Sequence, residues 1–360
     1  MRNATSDATG PVDRAGILHR LARTLLTAPA PVLDRIIGGP PAVVDGRVLD
    51  RRIQALLAIG ERLQRSPEGS IRSFDVAQRR RELDRMGRLG MPQRQGIHVF
   101  ERSIPGPASE LAVRVYRPFN CGNEPPAIVY FHGGGWVVGS LDSHDGSCRL
   151  VADVASCVVV SVDYRLAPEH PFPGPYDDCV SAYGWVRDHA TELGIDASRV
   201  GVMGDSAGGN LAAAVALAAR DGDIAPPQVQ SLVYPATDAH FSLPSHELFR
   251  SGFGLTREDM EWFRAQHLPD VSTWELPTVS PLRAPSVDGL APAVVVTAGF
   301  DPLRDEGDAY AERLADAGVV VRHRCYDDMV HGFFGMGLLP ECHAMATEIA
   351  AQTGELLHAA

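Results

Sequence analysis

The chain lacks the features that would assign it to most binding classes. No pair among Cys121, Cys148, Cys157, Cys179, Cys325 and Cys342 has C-x-x-C spacing, which argues against a zinc ribbon or a thioredoxin-type motif. No cluster of His, Cys and carboxylates has ligand spacing, so no metal is expected. Positive charge is scarce. The 33 Lys and Arg against 45 Asp and Glu leave a net charge of −12, the opposite of the basic face a nucleic-acid partner requires. Long apolar runs are missing as well. The most apolar helical stretch, residues 211–219, is far too short to cross a bilayer, so no stable membrane insertion is expected. The start, MRNATSDATG, has no apolar stretch of a secretory signal. The cysteines therefore read as reduced and mostly buried, in a cytoplasmic protein. There is no internal repeat and no low-complexity tract.

What is present is enough apolar residue, 45% of 360, for one large core or one core with a covering subdomain. Residues 1–95 read as helical and irregular, with amphipathic or charged helices over 15–26, 51–63 and 76–86 and no convincing strand alternation. This part is either helical decoration or a cap over an active site. From residue 97 the pattern changes. Residues 97–102 and 111–116 alternate like an antiparallel pair. Short apolar runs then recur at 127–131, 158–162, 200–203, 230–234, 293–298 and 319–324, with helical stretches at 148–155, 177–189, 207–220 and 309–317. Runs of β-branched residues suit strands buried on both faces, and their alternation with helices implies a mostly parallel α/β sheet. Residues 241–282 are too long for a plain connection. They hold an expected helix over 257–267, capped by Thr256 and Asp259, and read as an insertion above the carboxyl edge of the sheet.

Gly204-Asp205-Ser206-Ala207-Gly208 fits G-x-S-x-G. A strand runs into it and an alanine-rich helix runs out of it, the strand–turn–helix setting this pattern needs. So tight a turn strains the serine backbone and leaves room only for glycine nearby, while the helix N-terminus behind it favours negative charge. Ser206 is the candidate nucleophile. His132-Gly133-Gly134-Gly135-Trp136 follows the strand 127–131, and its glycines leave backbone N–H groups open. Such donors can meet the oxyanion of an acyl-transfer intermediate. The assignment is Gly134, Gly135 and Ala207, with Gly133 as an alternative neighbour. The loop lacks both G-x-G-x-x-G spacing and the Lys-Ser/Thr of a phosphate loop. His132 reads as a prop for the loop rather than a base.

A serine needs a base, and in this topology the order is Ser, acid, His. Of the thirteen histidines, seven follow Ser206. His240, His246 and His267 precede the strand that should supply the acid. His323 falls inside the last strand, and His343 and His358 in a terminal helix. His331, in Met-Val-His-Gly-Phe beyond the last strand, is left as the base. Asp301, the first carboxylate after the strand 293–298, is the acid that would orient it. Asp305 and Glu306 suit the first turn of the next helix, and Asp327 and Asp328 are too local to His331.

The motifs HGGGW at 132–136, DYRLAPEHPFP at 163–173, GDSAGGN at 204–210, DPLRDEG at 301–307 and HGF at 331–333 resemble the hormone-sensitive-lipase-like family of α/β-hydrolases, the bacterial family IV esterases. The resemblance covers residues 95–350. It implies an α/β-hydrolase fold, a Ser206–His331–Asp301 triad, an oxyanion hole at Gly134, Gly135 and Ala207, and a helical cap. It further implies hydrolysis of short- to medium-chain acyl esters without a cofactor, by a monomer or homodimer. In the resemblance DYRLAPEHPFP shapes the region beside the site, and Glu169 makes structural polar contacts. The division expected is residues 1–95 as an N-terminal region contributing to the cap, and 96–360 as the catalytic domain with a cap insertion near 241–282. Residues 1–40 match no motif of the family. An amidase or arylformamidase with the same triad, or a non-catalytic small-molecule receptor, are the competing readings. Phe253, Leu255, Trp262 and Phe263 are candidates for an apolar pocket wall or for ordinary packing within the cap.

Overall fold

The computed structural model describes residues 24, 27–64, 75–222 and 224–359. The helix expected over 15–26 lies outside the described residues except for Thr24, which is helical. The N-terminal part contains α1 (Ala30–Ile37), a hairpin of β1 (Val43–Val44) and β2 (Arg47–Val48), α2 (Arg51–Gln64) and α3 (Val76–Gly90). The two helices expected at 51–63 and 76–86 are present and longer. Each starts on an aspartate: Asp50 Oδ1 accepts from Arg52 N at 2.8 Å, and Asp75 Oδ1 accepts from Gln78 N at 2.7 Å. The hairpin corrects the expectation of no strands here. Asp45 and Gly46 both take positive φ, 53° and 75°, the geometry of a two-residue turn. Its strands are two residues long, too short for alternation to register.

Eight strands form the main sheet in the order β10-β9-β8-β7-β5-β6-β4-β3. They are β3 (Ile97–Pro105), β4 (Glu110–Pro118), β5 (Ala127–Phe131), β6 (Val158–Val162), β7 (Val200–Asp205), β8 (Gln230–Val233), β9 (Ala293–Phe300) and β10 (Val321–Val330). β3 and β4 pair antiparallel, β4 joins β6 antiparallel, and every later pairing is parallel. Every residue of β5 and β6 is buried. On β5, Ile128 and Tyr130 enter one core while Ala127, Val129 and Phe131 enter the other. Side chains alternate across a strand, so an unbroken apolar run serves both faces. Helices α4 (Asp145–Val154) and α11 (Pro340–Leu357) cover the first face, and α5 (Gly174–Asp188), α7 (Ala207–Asp221) and α10 (Arg304–Asp316) the second. A one-turn α6 (Ala190–Leu193) follows α5.

β6 lies on one side of β5 and β7 on the other. Connections thus leave β5 in opposite directions, and the crevice outside the carboxyl ends of the strands there is where such sheets bind ligands. The insertion carries α8 (Pro244–Leu248) and α9 (Arg257–His267). α9 has the bounds expected, with Asp259 N donating to Thr256 Oγ1 at 3.0 Å and Thr256 N donating to Asp259 Oδ2 at 3.1 Å. β10 departs from expectation: it runs on to Val330 rather than ending near 324. Tyr326 pairs with Ala298 and Val330 with Phe300, so the ladder is broken across Asp327–Met329. A Cβ on Gly299 would stand 2.2 Å from the Asp327 carbonyl oxygen, so only glycine lets the bulged strand approach. Among the described residues no helix is long and apolar enough to cross a membrane.

Candidate active site

Ser206 lies between β7 and α7 with φ 57° and ψ −120°, a conformation that is costly for a residue with a Cβ. The glycines around it are required by contact. A Cβ on Gly208 would lie 1.9 Å from the Phe131 carbonyl oxygen, and one on Gly204 would lie 2.2 Å from that of Gly208. The elbow therefore packs directly on the end of β5, where the second glycine motif begins. Ser206 N donates to Val233 O at 2.9 Å, tying the elbow to β8.

Asp301 follows β9 and is fully buried. Its Oδ1 accepts from Leu303 N at 2.9 Å, which leaves Oδ2 for His331 Nδ1 at 2.7 Å. His331 Nε2 stands 2.9 Å from Ser206 Oγ. The ring of buried Tyr234 packs at 4.6 Å from the imidazole and restricts its rotation. The ends of β7, β9 and β10 thus bring together the three side chains singled out in the sequence. The arrangement can move the serine proton to an imidazole whose other nitrogen is held by a carboxylate.

Several other histidines are committed elsewhere. His240 bridges Asp238 and Glu275, His323 meets Asp308 at 2.9 Å, and His358 caps α11 beside Ala155 O. His246 and Glu306 form a buried pair at 2.7 Å that clamps α8 to the first turn of α10. His267 stacks on Trp136 at 4.7 Å, and burial lowers its pKa to about 3. His132 stacks on Tyr164 at 4.3 Å, and burial lowers its pKa to about 3, so it stays neutral as a prop for the loop.

In the loop after β5, Gly134 and Gly135 have φ 122° and 59°. Gly133 N donates to Asp205 Oδ1 at 3.1 Å and is thereby spent. No hydrogen bond among the described residues engages the N–H of Gly134, Gly135 or Ala207. Asp205, which the sequence reading passed over, also accepts from Tyr130 Oη at 2.7 Å and lies 3.3 Å from His144 Nε2. Burial by itself would raise its pKa; the His144 charge and the hydrogen bonds from His144 and Tyr130 outweigh that and hold it below the usual value. This one carboxylate joins the residue before the serine to the glycine loop. Its position inside G-x-S-x-G was the available signal.

Above the loop, the Phe263 ring occupies the space a Gly135 Cβ would need, 2.3 Å away. Trp262 and Phe263 of α9 pack with Val137, Val138 and Ala167 and with Val76 and Leu83 of α3. Phe253 instead packs on Phe249 and Phe300, at 5.5 and 5.2 Å, toward the core. Leu255 is partly buried. A cavity of about 20 Å³, room for a single water, lies between Trp136, Ala236, Phe241, Leu268 and Val279, with Asp238 and Arg264 in its wall; Ala236 N donates to Ser206 O at 3.3 Å. Glu169 pairs with Arg80 of α3, the structural contact expected of it.

Sheet order, elbow and glycine loop are those of a hydrolase. The family profile for the alpha/beta hydrolase fold matches residues 128–335, and the chain belongs to that family, in the hormone-sensitive-lipase-like branch its motifs resemble. The carboxylic ester hydrolase LipN of Mycobacterium tuberculosis is 40% identical over 337 residues, covering 92% of this chain and 87% of that one. The carboxylesterase NlhH of the same species is 45% identical over 255 residues, 70% and 80% of the two chains. Among solved structures, a thermostable esterase from Pseudomonas putida matches with TM-score 0.82 and 34% identity, over 90% of this chain and 100% of the other. A hyperthermophilic esterase from Pyrobaculum calidifontis matches with TM-score 0.78 and 37% identity, over 84% and 97%.

Proposed function

We propose that the protein is a serine carboxylesterase acting on short- to medium-chain acyl esters, with Ser206 as nucleophile, His331 as general base and acid, and Asp301 as its orienting partner. The observation that carries this is His331 within hydrogen-bond reach of both Ser206 and Asp301, with the N–H groups of Gly134, Gly135 and Ala207 engaged by no hydrogen bond among the described residues. His331 takes the proton of Ser206 as Oγ attacks the ester carbonyl. The carbonyl oxygen becomes an oxyanion held by the N–H groups of Gly134, Gly135 and Ala207. The carbon–alkoxy bond breaks, the alcohol leaves with the proton from His331, and the acyl group remains on Ser206. Water, deprotonated by His331, then releases the acid and restores the serine. No cofactor enters any step. The helices α3 and α9 act as a cap over the glycine loop. A cytoplasmic monomer or homodimer is part of the same reading.

The test is Ser206→Ala on p-nitrophenyl butyrate. Turnover is expected to vanish, together with labelling by a fluorophosphonate probe, while the circular dichroism spectrum is unchanged. Wild-type-like turnover by that variant would overturn the assignment. A matched ester and anilide pair separates esterase from amidase: faster ester cleavage is expected.

A further inference from the structure

Arg80 of α3 is remote from the reacting atoms, yet its guanidinium grips the far end of the glycine loop. Its Nε donates to Val137 O at 2.9 Å and Nη2 donates to Ala167 O at 3.0 Å. Glu169 holds the fork in place through Nη1 at 2.9 Å and Nη2 at 2.7 Å. A peptide unit is planar and trans, so its C=O and N–H point in opposite directions. The Val137 carbonyl that Arg80 grips shares a peptide with the Val138 N–H, which donates to Gly134 O at 3.0 Å; Val137 N donates to the same oxygen at 3.1 Å. The Gly134 carbonyl in turn shares a peptide with the Gly135 N–H. Two peptide planes therefore link the guanidinium to an N–H that no other group in the described residues engages.

We propose that Arg80 is a positioning residue for the oxyanion hole. It fixes the direction of the Gly135 N–H through this relay. Gly134 and Gly135, at positive φ, have no intrinsic preference that would hold that direction unaided. The effect falls on the transition state, in which the oxyanion exists, and not on the ground-state ester. The inference rests on the esterase reading above.

The experiment compares Arg80→Gln and Arg80→Lys with Arg88→Gln, which breaks another ion pair of the same helix, to Asp142, without touching the relay. Complete loss of an oxyanion donor costs about 10²- to 10³-fold in kcat, so a misdirected donor in Arg80→Gln is expected to cost roughly 10- to 50-fold, with KM nearly unchanged. Arg80→Lys keeps the charge and one donor for Val137 O, and should fold and fall between the two. Arg88→Gln should match wild type. Affinity for a trifluoromethyl ketone, which forms an oxyanion on Ser206, should fall in step with kcat across the series, while affinity for butyramide, whose carbonyl is neutral like that of the ester ground state, should not. Wild-type kcat in both Arg80 variants, or equal loss of ketone and butyramide affinity, would overturn the relay. Absence of ester turnover in the wild type would instead overturn the esterase reading.

Discussion

Replacing Asp205 tests the joint between the elbow and the glycine loop. Its carboxylate accepts from Tyr130 Oη at 2.7 Å and Gly133 N at 3.1 Å, and meets His144 at 3.3 Å, while Asp205 itself is 8% exposed. Asp205→Ala removes the acceptor and leaves the Gly133 N–H and the Tyr130 hydroxyl buried without a partner. Each such orphan costs about 1–3 kcal/mol, and the sum of about 2–6 kcal/mol is a large share of a typical folding stability of about 5–15 kcal/mol. Asp205→Asn keeps an oxygen toward both donors and loses only the charge assistance, about 1–2 kcal/mol. The assay is urea unfolding followed by tryptophan fluorescence, with kcat on p-nitrophenyl butyrate measured alongside. Both losses should be larger in the alanine variant. The pH dependence has a definite sign. The folded pKa lies below the unfolded one, so the stabilisation is complete above about pH 4 and fades as pH falls through the lower, folded value. The gap between wild type and Asp205→Asn should therefore close in strong acid. An alanine variant within about 1 kcal/mol of wild type would refute the reasoning, since it would mean the buried donors find partners elsewhere.

Gly135→Ala must hold φ 59° with a Cβ 2.3 Å from the Phe263 ring, and is expected to lower kcat by about 10²- to 10³-fold, as loss of an oxyanion donor does. Adding Phe263→Ala gives back space but not the backbone conformation, so steady-state kinetics should show only a small recovery. His267, held neutral down to about pH 3 by burial against Trp136, costs about 1.4 kcal/mol of stability for each pH unit below 6.5, because only the unfolded chain takes up the proton. His267→Phe keeps the stack and should lose about 2 kcal/mol less than wild type between pH 7 and pH 5 in urea unfolding.

The most legible elements were those whose environment is uniform along their length. β5 and β6 were expected with their observed bounds because each is buried on both faces, which demands an unbroken apolar run. α9 was expected with its observed bounds because Thr256 and Asp259 cap it locally. β10 was misjudged because its ladder breaks at Asp327–Met329, where two acidic residues interrupt the apolar pattern. The hairpin at Val43–Val48 was missed because each strand has only two residues, although Asp45-Gly46 is a turn signal. Arg80 had no signal in the chain: it is one arginine in a charged helix, and nothing near it in sequence shows that it faces Val137.

Ser206 came with its own local evidence. The strand before it, the helix after it and the glycines on both sides determine the turn, since strain and close approach are short-range effects. Chain order then selected Asp301 and His331 from many carboxylates and histidines, because strands that follow one another in a parallel sheet end on the same edge. The tertiary structure alone decided how the donors are spent. It gave the Gly133 N–H to Asp205, left those of Gly134 and Gly135 open, and set Arg80 and Phe263 against the same loop. Those are contacts between segments far apart in the chain, and no local pattern encodes them.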